Sequence, residues 1–210
     1  MELHRSGTTR RNLTVAALAV GFLALAPAHA APETYAIDKE HTAVTFKIKH
    51  FFSKVPGRFK TFEGTIELDR DDWSASAVNV TIDTASIDTD EAARDRHLRS
   101  DAFFDAENHP TITFRSTSAE ANGTDKLAIH GDLTMRGITR PVTLDVDILG
   151  FGKMYGVERA AFEARTTINR MDFDVSWNDV VEGGGLILGK DVEIVINLEA
   201  KKQKKKAAGK

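Results

Sequence analysis

Val142-Thr143-Leu144-Asp145-Val146-Asp147-Ile148 is the stretch that decides how this 210-residue chain folds. Four apolar residues alternate with Thr143, Asp145 and Asp147, a period of two that gives an extended strand one oily and one wet side. A helix would scatter the same residues around its circumference. Working outward, Val44, Phe46 and Ile48 alternate with Thr45, Lys47 and Lys49. Phe62, Gly64, Ile66 and Leu68 alternate with Glu63, Thr65 and Glu67, and Val78, Val80 and Ile82 with Asn79, Thr81 and Asp83. The period returns at Ile112 and Phe114, at Leu127, Ile129 and Leu133, and at Val192, Ile194, Ile196 and Leu198. Short strands at near-regular intervals predict an all-β antiparallel sheet, closed as a barrel or folded as a sandwich.

Between these strands one segment favours helix. Asp88 and Glu91 have the spacing of a reciprocal cap, and Ala92-Ala93-Arg94-Asp95-Arg96-His97-Leu98 follows, so a short helix is expected near residues 89–99. Asp95 and Arg99 stand at i,i+4 spacing for an ion pair. Gly150-Phe151-Gly152 and Gly183-Gly184-Gly185 are expected to be loops. Neither a repeat nor an internal linker divides residues 31–200, so they are taken as one domain.

The two ends differ from this body. Arg5, Arg10 and Arg11 precede an apolar run from Leu13 to Leu25, and Ala28-His29-Ala30 offers a small-x-small cleavage site. Residues 1–30 are therefore expected to be a cleaved signal peptide and the protein to be periplasmic, because the run is shorter than the ~20 residues a spanning helix needs. A retained anchor is the alternative. Arg10-Arg11 resembles a twin-arginine signal, but ordinary secretion is preferred and the route stays open. The body from Ala31 to Ala200 carries 19 basic and 30 acidic side chains, against six lysines in residues 201–210. That ending is expected to be a disordered lysine-rich tail, with weak contact to anionic membrane as its functional alternative. The acidic body argues against a nucleic-acid partner.

With no cysteine, disulfides, thiolate zinc sites, iron–sulfur clusters and c-type haem are excluded. His41, His50, His97, His109 and His130 show no His-x-x-x-His spacing, so no metal site is assigned. His97 is expected on the surface of the helix. There is no Gly-x-Ser-x-Gly elbow and no phosphate-cradling glycine loop, so no catalytic residue is assigned. Twelve phenylalanines supply large apolar area without reactive groups, which suits a core or a ligand cavity.

Several phrases taken in order resemble one family. Tyr35-Ala-Ile-Asp38 leads to His41-Thr42, Val44-Thr-Phe46 and His50. Gly57-Arg-Phe59, Phe62-Glu-Gly64 and Ser86-Ile-Asp-Thr89 follow, then Arg94-Asp-Arg-His97-Leu98, Phe103-Phe104-Asp105 and His109-Pro110-Thr-Ile-Thr-Phe114. Gly131-Asp-Leu-Thr134, Gly137-Ile-Thr139 with Pro141-Val142, and Arg170-Met-Asp172-Phe173 complete the series. Together they resemble the YceI-like, periplasmic polyisoprenoid-binding proteins. Asp174 stands where that family usually has glycine, a position that asks for left-handed backbone, which Asp tolerates better than most residues.

The resemblance implies a lipocalin-like, eight-stranded antiparallel barrel around a long apolar channel. Its occupant would be an isoprenoid quinone, a polyprenyl phosphate or another long amphiphile, with no other cofactor. The inward faces nominate Phe46, Ile48, His50, Val80, Ile82, Phe114, Ile129, Phe162, Ile194 and Ile196 as channel lining, each equally placed for plain core packing. Trp177 is expected at an entrance or as a loop anchor, and Arg58 and Arg170, with His50, are candidates for a polar headgroup. The alternatives are an enzyme acting on a lipid headgroup through His50 or His97, and a binding module recruited by the lysine tail. A second copy of the chain, forming a homodimer, is also counted among the candidate partners.

Overall fold

The computed structural model describes residues 31–180 and 186–204. Its strands are β1 (Glu33–Ile37), β2 (Ala43–His50), β3 (Ser53–Phe59), β4 (Phe62–Leu68), β5 (Ala77–Asp83), β6 (Ile87–Asp88), β7 (Thr111–Ala121), β8 (Lys126–Met135), β9 (Ile138–Met154), β10 (Val157–Asn169) and β11 (Leu188–Lys202). Among the described residues there is one α-helix, α1, spanning Ala92–Arg99, and three single-turn 3₁₀ segments start at Trp73, Thr84 and Arg170.

Eight strands close a ring in the order β1-β4-β5-β7-β8-β9-β10-β11, every pair antiparallel, with Tyr35 opposite Lys202 and Ile37 opposite Ala200 at the closure. Strand β11 is long enough to serve two partners. Its last residues pair with β1, and residues 188–197 pair with β2, so the β2–β3 hairpin extends the wall beyond the reach of β1. The expected alternation holds: Val44, Phe46 and Ile48 point inward while Lys47 and Lys49 are exposed. Two ring tips lie against glycine on the neighbouring strand, Phe46 at Gly57 and Phe114 at Gly131; a Cβ at either glycine would collide with the ring.

Four expectations need correction. Gly150-Phe151-Gly152 is not a loop but part of β9, which runs on past a bulge where Gly150, at φ 150°, breaks register between Ala161 and Phe162. Asp88 does not cap the helix; it pairs with Arg58 from β6, and Glu91 is the N-cap, accepting from the Ala93 N–H. Asp95 does not reach Arg99. It is buried and accepts from the N–H and hydroxyl of Thr89, while Arg99 donates to the carbonyls of Ala85 and Ile87. Lys201 and Lys202, counted with the tail, are the last residues of β11. Residues 1–30, Gly183-Gly184-Gly185 and residues 205–210 lie outside the described residues. Asp174 does adopt left-handed backbone, φ 58° and ψ 23°, after the 3₁₀ turn of Arg170–Phe173.

Candidate functional site

The inward residues do not meet in the middle. They enclose a cavity of about 630 Å³, the size range of small-molecule sites, whose wall is almost entirely apolar. Eight strands leave an interior that side chains just fill or one small ligand occupies, and mid-sized Val, Ile and Leu on the facing strands leave it hollow here.

One end is shut. Tyr35, Leu68, Leu127, Ala160, Phe162 and Ala200 form a buried cluster there, and Trp73 packs against it, stacked 6.5 Å from Phe151. Ion pairs bind the strand ends around it. The Asp38 carboxylate, 3% exposed, meets Lys201 at 2.7 Å, His41 Nδ1 at 2.8 Å and Arg159 at 2.9 Å. Burial alone would raise its pKa, but these donors and the Glu40 N–H hold it well below the usual carboxylate range. Lys202 lies 2.8 Å from Glu158 and 2.6 Å from Glu33, which raises its pKa. Asp38, Glu40 and His41 bring three ligand-type atoms close together, but the cations around Asp38 already match its charge.

The other end is covered by α1 and the turns after it. Phe59 meets Phe104 edge-on at 6.0 Å, and His97, Phe103 and Trp177 form a triangle with ring centroids 5.0–5.1 Å apart. Among the described residues, those that line the cavity and are also exposed are His50, Ala93, Arg94 and His97. They mark a rim where the cavity reaches solvent, between the tip of the β2–β3 hairpin and α1. Arg94 is held at this rim by two 2.7 Å hydrogen bonds to the hydroxyl and carbonyl of Thr89.

Phe46, Ile48, His50, Val80, Ile82, Phe114, Ile129, Phe162, Trp177, Ile194 and Ile196 all lie on the cavity wall. Arg170 also lies on it, 3% exposed. Its guanidinium donates to the carbonyls of Gly189 and Trp177 at 2.8 Å and of Val175, while Nη2 has no partner among the described residues. Burial without a carboxylate neighbour lowers its pKa.

Arg58 is a miss. Gly57 and Phe59 take the inward positions of β3, so Arg58 points outward to Asp88 at 2.6 Å and Asp90 at 2.9 Å. His97 is exposed as expected, yet also lines the rim. Strand alternation does not foretell the lid itself. Thr89, Ala93, Arg94, Leu98, Phe103 and Phe104 reach the cavity from α1 and its flanks, and the apolar cluster Leu98, Phe103 and Phe104 was the available signal.

The YceI-like domain family matches residues 35–200. The chain is 42% identical over 174 residues to the protein YceI of Escherichia coli O157:H7, covering 81% of this chain and 87% of that one. Among solved structures it is similar to the YceI protein of Campylobacter jejuni, at 31% identity and a TM-score of 0.65 over 73% of this chain and 88% of that one. It shares its fold (TM-score 0.60, 15% identity, covering 80% of this chain and 98% of that one) with a polyisoprenoid binding domain from Saccharophagus degradans implicated in plant cell wall breakdown. The match over residues 35–200 and the 42% identity to the protein YceI show that this chain belongs to the YceI-like family.

Proposed function

We propose that the barrel binds the isoprenoid tail of a quinone or polyprenyl lipid in its cavity and carries or sequesters it in the periplasm. The observation that carries this reading is the apolar cavity of about 630 Å³, shut at one end and rimmed by His50, Arg94 and His97 at the other. Its wall offers contact to hydrocarbon and little to a polar molecule. A barrel of the same fold is described as a polyisoprenoid binding domain, which makes an isoprenoid chain the first occupant to try.

The energetics suit carriage. Each buried methylene gains about 0.8 kcal/mol over water, but a bilayer offers the same gain, so exchange between membrane and barrel is near neutral. Cargo can then be both taken up and released. The headgroup is placed at the rim, with His50 and Arg94 as its polar neighbours and Arg170 buried beneath. Binding is preferred to enzymatic use of His50 or His97 because, among the described residues, the histidines beside a carboxylate are His41 and His109, which lie off the cavity wall.

Protein purified from the exporting host without detergent and extracted with organic solvent is expected to release an isoprenoid lipid, read by mass spectrometry. A dry extract, with no uptake from quinone-bearing vesicles, would sink the proposal.

A further inference from the structure

The tip of the β2–β3 hairpin is built against ordinary turn chemistry. A two-residue turn between His50 and Ser53 holds Phe51 and Phe52, and Phe51 has φ 52°, where such turns favour glycine or asparagine. Both rings face solvent: Phe52 is 89% exposed, Phe51 44%, and their centroids lie 3.9 Å apart. The Phe51 N–H bonds the Ile187 carbonyl at 2.7 Å, which sets the tip beside exposed Leu186 and its bridge partner Val180. One apolar edge thus adjoins the cavity rim, since His50 belongs to both.

The charge around this edge is segregated. Residues 41–62 carry Lys47, Lys49, Lys54, Arg58 and Lys60 and no acidic residue, within a body that is strongly acidic. Asp88 takes up Arg58 and Lys60, and Glu193 takes up Lys54 at 2.5 Å. Lys47 and Lys49 are exposed on the outer face of β2 without an ion pair among the described residues. A second exposed apolar hairpin, around Met154 and Tyr155, lacks both features: it lines no cavity and stands at the shut end, beside the acidic turn of Asp69, Asp71 and Asp72.

We propose that the β2–β3 tip docks the barrel onto an anionic bilayer. Phe51 and Phe52 enter the interfacial layer, Lys47 and Lys49 face the lipid phosphates, and the rim is pressed against the membrane so that an isoprenoid chain passes without crossing water. The purpose of the contact rests on the carrier reading, but the contact is tested without any isoprenoid. This placement also opposes recruitment by the lysine tail, because β11 delivers Lys201 and Lys202 at the shut end, engaged by Asp38, Glu33 and Glu158.

The test is flotation with vesicles of equimolar phosphatidylglycerol and phosphatidylcholine free of isoprenoid. Wild type floats with them and the chain ended after Lys204 floats equally. Phe51→Asn/Phe52→Ser, which suits the positive φ and removes only exposed rings, binds roughly tenfold more weakly or worse. Lys47→Gln and Lys49→Gln each cost up to about fivefold, and the difference fades in high salt. Loading with quinone from detergent micelles is measured on the same variants and stays at the wild-type level, so a failure of docking is told apart from a failure of the cavity. Unaltered flotation of the phenylalanine variant, flotation lost with the tail, or no flotation by wild type overturns the proposal. So does a dimer in sedimentation velocity that the phenylalanine variant alone dissolves while vesicle binding persists.

Discussion

The two ends of this barrel use the same strands for opposite ends. At the shut end Trp73, Phe151 and Phe162 plug the ring, and Asp38, Arg159, Glu199, Lys201, Lys202, Glu33 and Glu158 fasten the strand ends together. At the rim Arg58 and Lys60 pair with Asp88 and Asp90 before α1, but among the described residues no ion pair joins β2 or β3 to α1 itself; aromatic edges meet instead, and exposed His50, Ala93, Arg94 and His97 border the cavity. A closed ring needs one firm seam, and here it is the β1–β11 closure. Directional ion pairs suit a seam that stays shut, whereas weakly oriented ring contacts suit a lid that yields to a chain.

Filling the hollow should have the largest effect. Thr166 lies half-buried on the cavity wall, so Thr166→Trp puts an indole where the chain would lie; quinone uptake is expected to fall more than tenfold by extraction and absorbance, with little change in melting temperature. Next comes the seam. Asp38→Asn strands Lys201 and Arg159 beside a neutral amide and is expected to cost about 3 kcal/mol in urea titrations while leaving uptake intact.

The same carboxylate predicts a pH dependence. Its pKa is lower folded than unfolded, so its stabilising contribution is full above pH ~4, where the unfolded carboxylate is ionised, and is lost as pH falls through the folded value. Asp88, lowered to about 2 by Lys60 and Arg58, adds to the same acid slope. Asp38→Asn should flatten that slope, and an unchanged slope would remove Asp38 from the seam.

The two tryptophans report on one end each. With Trp73→Phe, leaving Trp177 at the rim, a bound quinone should quench fluorescence more strongly than with Trp177→Phe if its ring lies at the rim as proposed. The reverse order would put the headgroup at the shut end. The smallest effect is expected at Lys54→Ala, whose exposed pair with Glu193 should be worth no more than about 0.5 kcal/mol by thermal unfolding.

Much of this was legible in the sequence, for a physical reason. Strands with one wet and one dry face write their orientation into alternation, so Val44, Phe46 and Ile48, and Val142, Leu144, Val146 and Ile148, declared the inside directly. Strand β10 was quieter, because Ala160, Ala164 and Thr166 take inward positions with little hydrophobic signal. Strand β3 hid behind Pro56 and Gly57, although Val55 and Phe59 on the inward parity would have placed Arg58 outside. Periodicity says which face is dry but not whether opposing dry faces touch. The hollow, and the lid that borders it, depend on side-chain volumes summed across strands distant in sequence, which no local window contains.

For the barrel to carry lipid, that hollow must be the binding site. Wild type and Thr166→Trp, each incubated with quinone-bearing vesicles, separated from them and extracted, give the direct measure. About one quinone per wild-type chain against less than a tenth of that for the variant is the predicted result, the contrast expected when a single pocket is blocked. Equal quinone in the two extracts, from variants shown to be folded alike, would contradict it.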